Sequence, residues 1–142
     1  MYSDLIIEHF TNPRNLGRIE DADGVGISGD PNCGDHVKLY IKVTGECLAD
    51  TKFEVHGCPA AIATTSIFSE MIMGKPLTEA LVITEEDVAN ALGGLSEEKM
   101  HCSNLAKGAL IQAVWGYFIS SKADRAVVNK VISNINKGKS NQ

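Results

Sequence analysis

Apolar and polar positions change their period once along the chain, near residue 58. In "HVKLYIKV", Val37, Leu39, Ile41 and Val43 alternate with His36, Lys38, Tyr40 and Lys42. That is the period of two expected of a strand with one buried face. "ADTKFEVHG" repeats the pattern with Thr51, Phe53 and Val55 inward, and "TGEC" between the two supplies a hairpin connection. "GVGISGD" predicts a weaker strand, with Val25 and Ile27 on one face. Three consecutive strands with short links predict an antiparallel meander. Ahead of them, "SDLIIEHF" predicts a short amphipathic helix, capped by Ser3 or Asp4 and stopped at Asn12-Pro13.

From Pro59 onward the spacing is helical. Pro59 suits a first helical position and Gly74 a C-terminal cap. "LTEALVI" predicts a short helix. "TEEDVANAL" opens on Thr84 with Asp87 three residues later, a variant of the capping box, and Gly93-Gly94 end it. A long helix is expected after Cys102, with Leu105, Ala109, Leu110, Ala113, Val114, Tyr117 and Phe118 as its apolar stripe. A last helix is expected from about Asp124, with Val127, Val128, Val131, Ile132 and Ile135 inward. Strands first and helices after predict an α+β fold: a three-stranded antiparallel sheet with helices packed on it.

The 142 residues make one domain by size, and the polar tail 136–142 is expected to fray. A net charge of −5 argues against nucleic acid or an anionic membrane as partner. The N-terminus lacks a basic region, acids at Asp4 and Glu8 interrupt its apolar residues, and no segment has the roughly 18 apolar residues of a membrane span. These features predict a cytoplasmic protein. In that compartment the four cysteines read as free thiols, metal ligands or nucleophiles rather than disulfides.

Three cysteines stand at the edges of predicted elements. Cys33 lies in "GDPNCGD" between the first two strands, with Asp35 two residues on. Cys58 lies in "HGCPAAIATTS", at or near the cap of a helix, where Gly57 suggests a tight turn and the positive end of the helix dipole favours a thiolate. Cys102 follows His101 at the expected mouth of the long helix, on its core-facing stripe. Neighbours in a helix do not face each other, so His101 and Cys102 alone do not make a nucleophile–base dyad. Cys47, in the hairpin, has no polar company suited to a ligand and reads as structural. The spacings contain no CxxC pair, so a zinc-finger pattern is excluded. Three thiolates with a carboxylate or imidazole suit either a tetrahedral zinc or an iron–sulfur cluster.

"SGDPNCGDHVKLYIKV", "HGCPAAIATTS" and "EEKMHCSNLAKGAL" resemble, in order, the three cysteine motifs of the iron–sulfur cluster assembly scaffolds, the IscU family and the N-terminal domain of NifU. "HFTNPRNLG" resembles that family's start, and the likeness runs to about Ser121. The third motif is closer to the NifU type. The resemblance implies a SufE/NifU-like scaffold fold and a transient 2Fe-2S type cluster held by Cys33, Cys58 and Cys102. It implies that Asp35 keeps the cluster labile, that His101 is an alternative ligand, and that Cys102 accepts sulfur as a persulfide. It further implies a non-enzyme carrier, with a cysteine desulfurase, an iron donor and apo iron–sulfur proteins as partners. The protein would be a monomer or homodimer, with zinc able to occupy the cluster-free site.

The family's dedicated Hsp70-type chaperone recognises Leu-Pro-Pro-Val-Lys. Here "LSEEK" keeps Leu95 and Lys99 alone, which weighs against that partner. The chain shows neither the CxxC-bearing domains of full NifU nor the insertion of SufU-type zinc proteins, so a stand-alone scaffold is expected. Three sulfurs and one harder oxygen make a weaker, asymmetric site than four sulfurs, as a donor requires. The rival readings are a structural or regulatory zinc domain and a thiol enzyme acting through Cys102.

Overall fold

The computed structural model describes residues 3–29, 34–95, 97–120, 125–126, 128–130 and 132–133, with backbone alone for 97–103. Helix α1 (Asp4–Thr11) is followed by β1 (Gly24–Gly29), β2 (His36–Thr44) and β3 (Cys47–His56). Then come α2 (Pro59–Ile72), α3 (Leu77–Ala80), α4 (Glu85–Ala91) and α5 (Glu97–Ile119). The sheet has the order β1-β2-β3 and both pairings are antiparallel. This is the predicted meander with helices packed on it.

The period-two reading of β2 and β3 holds. Val37, Leu39, Ile41, Leu48 and Phe53 are wholly buried, together with Phe68 and Ile72 of α2 and Leu110 of α5. The opposite face of β2 and β3 carries a cross-strand ladder: His36 against His56, Lys38 against Glu54, Tyr40 against Lys52, Lys42 against Asp50. Tyr40 Oη donates to Glu54 Oε1 at 2.7 Å, and Arg18 Nε donates to Glu54 Oε2 at 2.9 Å. Those two hydrogen bonds, Tyr40's first, hold the Glu54 carboxyl below its usual value.

The outer edge of β3 is covered, which removes a template for unwanted pairing. Along β3, Gly17 N donates to Phe53 O and Phe53 N donates to Asn15 O, while residues 74–77 pair with the start of the strand. Along β1, α5 lies directly on the backbone. Gly24 and Gly26 face it, and a Cβ on Gly26 would run into the Ala109 carbonyl oxygen and the Ala113 nitrogen. Val25 and Ile27 do share a face, as predicted, and it is the exposed one.

Helix ends follow local chemistry. Ser3 caps α1 by accepting from Ile6 N at 3.2 Å. Thr84 and Asp87 form the complete reciprocal box at the start of α4. The long helix departs from expectation: it begins at Glu97, not after Cys102. Two glutamates at its N-terminus suit the positive end of the helix dipole, and Lys99 and Met100 are good helix formers. Residues 125–126, 128–130 and 132–133 are helical, with Val128 buried in the main core and Ile132 packed against it. The expected start at Asp124, the stripe residues Val127, Val131 and Ile135, and the tail 136–142 lie outside the described residues.

Candidate metal centre

The end of the sheet where β1 leaves, β2 begins and β3 stops gathers the predicted site. β2 starts at His36 and β3 ends at His56, directly opposite in register. Asp35 and Gly57 therefore face each other one step beyond the pairing. A Cβ on Gly57 would sit 2.9 Å from Asp35 Cγ and 3.0 Å from Asp35 Oδ2. The half-buried Asp35 carboxyl thus occupies the space that any other residue at 57 would fill, beside the residue that carries the second thiol. Sequence reasoning assigned Gly57 to a tight turn. Its φ is not in the left-handed region; the need for glycine here is lateral space.

Cys58 is the N-cap of α2, with Pro59 as the first helical residue, as expected. Its side chain makes no capping hydrogen bond and packs with Val55 against Ala60 and Ala61. Among the described residues, neither Cys58 nor Cys47 forms a disulfide.

The third motif approaches along α5. Gly24 abuts Ala113, Gly26 abuts Ala109, and Gly108 abuts Ser28, so α5 runs antiparallel to β1. Its N-terminal turns point toward the end where Asp35 and Cys58 stand. Cys102 lies six residues before Gly108, about 9 Å along the axis. His101 and Cys102 are helical from the backbone and sit in the second turn, not at a helix mouth. The expectation that Cys102 stands at the mouth of the long helix is corrected on that ground. The side chains of His101 and Cys102, and the whole of Cys33, lie outside the described residues. Cys47 begins β3 at the opposite end of the sheet, nine residues from His56, or about 30 Å of strand.

Sequence reasoning missed one feature here. The rings of His36 and His56 stack on the outer face with centroids 5.6 Å apart and planes at 25°. Its signal was two histidines at outward positions of consecutive antiparallel strands, but the pairing register was needed to see them meet.

A family model described as "NifU-like N terminal domain" matches residues 1–124. The iron–sulfur cluster assembly scaffold protein IscU 1 of Archaeoglobus fulgidus is 58% identical over 118 residues, covering 83% of this chain and 77% of that protein. The IscU scaffold of Escherichia coli is 42% identical over 120 residues, covering 82% and 93%. NifU of Azotobacter chroococcum is 42% identical over 118 residues, which are 82% of this chain and 38% of that longer protein. A crystal structure from Fervidobacterium islandicum, described as a "putative iron-sulfur cluster assembly scaffold protein for SUF system", superposes with a TM-score of 0.65 at 30% identity. It covers 80% of this chain and 96% of its own. The three cysteine motifs, the α+β architecture and these likenesses converge: the chain belongs to the NifU-like N-terminal domain family, whose relatives include the IscU scaffolds.

Proposed function

We propose that this chain is a scaffold on which iron–sulfur clusters are assembled and from which they are passed to apo-proteins, acting as a carrier rather than an enzyme. The observation that carries the reading is the Asp35 carboxyl lodged against Gly57, beside Cys58. A carboxylate next to a thiol at one sheet end, with the Cys102 segment directed to the same end, suits a mixed sulfur and oxygen ligand set. Cys33, Cys58 and Cys102 hold a 2Fe-2S cluster as cargo, Asp35 supplies an exchangeable oxygen, and His101 is the alternative ligand. The relatives named as IscU scaffolds support this role. The oxygen ligand has a physical purpose: borderline iron binds thiolate more firmly than carboxylate in such a site, so one oxygen lowers the barrier to release.

Sulfur arrives as a persulfide on Cys102, given by a cysteine desulfurase. Cys102 is assigned by its match to the third motif; α5 begins at Glu97, so no helix mouth favours its thiolate. We place the domain over residues 1–142 and its work in the cytoplasm.

Anaerobic reconstitution with ferrous iron and sulfide tests the reading. We expect visible absorption of a cluster in the parent and in Cys47→Ser, and its loss in Cys33→Ser, Cys58→Ser and Cys102→Ser. Tight zinc binding without any cluster chromophore would favour a zinc domain and overturn the proposal. Mass spectrometry after incubation with a desulfurase and cysteine locates the sulfur; persulfide on Cys33 or Cys58 with Cys102 unmodified would overturn that assignment.

A further inference from the structure

We propose that His36 and His56 form a second divalent transition-metal site on the outer face of the sheet. It is separate from the thiol site and does not depend on the scaffold reading. Asp35 and Gly57 flank the same two strand ends, but side chains alternate across a sheet. The imidazoles therefore project from the opposite pleat to the Asp35 carboxyl and into solvent.

Three observations support the assignment. The first is pairing: His36 and His56 are direct cross-strand partners, held close by the ladder with no loop closure needed to bring them together. Their rings already stack at 5.6 Å between centroids. Two nitrogens on one tetrahedral ion stand roughly 3.3 Å apart, given metal–nitrogen bonds of about 2.0–2.1 Å. Both side chains reach solvent, so ring rotation can close that difference.

The second observation fixes the tautomer of one ring. His36 Nδ1 lies 3.2 Å from the Gly34 carbonyl oxygen. A carbonyl only accepts, so Nδ1 is the donor in this contact and Nε2 is the nitrogen left for a metal. Metal-bound histidines commonly donate their other N–H to such a carbonyl, which orients the ring and raises its basicity.

The third is the electrostatic surround. Lys38, the nearest cation along the strand, pairs in register with Glu54, and its ammonium lies 5.4 Å from the centre of the Tyr40 ring. Its charge is drawn along the strand, away from the imidazoles. Two neutral imidazoles with waters completing the shell suit Zn2+, Ni2+, Cu2+ or Fe2+ rather than Mg2+ or Ca2+. The site would hold such an ion at the same end of the molecule as the thiol site, across the thickness of the sheet.

The chain has four histidines, and His9 is buried, which leaves His101 as the one other candidate to exclude. Ni2+ is the probe, titrated calorimetrically into metal-free protein whose thiols have been blocked with N-ethylmaleimide. We expect one equivalent of Ni2+ to bind the parent and His101→Gln alike. His36→Gln/His56→Gln should weaken binding by at least about tenfold. Ni2+ binding unchanged in that double variant, or lost only in His101→Gln, would overturn the proposal, as would no binding to the parent at all. If circular dichroism shows that thiol blocking unfolds the chain, unblocked protein is titrated instead. There the double variant must bind one equivalent fewer than the parent, and equal stoichiometry refutes the site.

Discussion

A carboxylate on one strand reaches the residue beside a thiol on the next only where nothing stands between them, and Gly57 leaves that gap. Asp35→Ala is expected to lengthen cluster lifetime in air severalfold, because an exchangeable oxygen ligand and a path for water to the iron are both lost. Gly57→Ala tests the geometry separately. Its methyl would meet the Asp35 carboxyl and the Ala61 Cβ within about 3 Å, so the carboxyl must swing away. The decay of the visible spectrum should slow in the same direction as in Asp35→Ala, by a smaller factor. Decay as fast as the parent's in both variants would show that Asp35 does not govern lability. Elsewhere in the core, the Thr51 hydroxyl is wholly buried and has no hydrogen-bond partner among the described residues. Thr51→Val keeps the shape and removes an unpaired polar group, so it should stabilise the fold by about 1 kcal/mol, read as a higher urea midpoint at unchanged slope.

At the scale of elements, the contact between β1 and α5 positions the third motif. Helix and strand approach so closely because Gly24 and Gly26 present bare backbone to Ala109 and Ala113. A methyl at Gly26 would strike main-chain atoms that cannot rotate aside. Gly26→Ala should therefore cost about 3 kcal/mol, measured by chemical denaturation. Because it displaces the helix that carries Cys102, cluster yield should fall even below the unfolding midpoint. A neutral Gly26→Ala would mean that α5 does not sit on β1 this closely. The start of α5 shows how local and tertiary signals interact. Cys102 marks the edge of the obvious apolar stripe, so the sequence suggests a start there. "EEKM" adds no apolar periodicity, yet its helix-forming residues carry the helix back to Glu97.

At the scale of the whole molecule, α1 is joined to α2 by a buried polar contact. His9 Nδ1 lies 2.7 Å from Ser66 Oγ, which also accepts from Arg14 N at 2.9 Å. Burial of the ring holds the His9 pKa below 6.5, and the Arg14 guanidinium lowers it further against the partial opposition of Glu70 and Glu8. The unfolded chain takes up this proton first. The contribution of His9 is therefore complete above about pH 6.5 and declines as the pH falls below it. The thermal midpoint should drop between about pH 7.5 and 5.5, and His9→Gln should be less stable but show a shallower dependence. A steeper dependence in that variant would contradict the sign. Much of this architecture was legible in the chain itself. The alternation in β2 and β3, the Thr84–Asp87 cap, the Cys58–Pro59 helix start and the order of the cysteine motifs are local signals, set by period and by capping chemistry over a few residues. Tertiary structure alone decided that Val25 and Ile27 face outward while two glycines face the helix, because that choice depends on which partner needs the closest approach. It also decided that Asp35 fills the space at Gly57 and that His36 meets His56, since strand register pairs residues about twenty apart and no local pattern encodes the pairing.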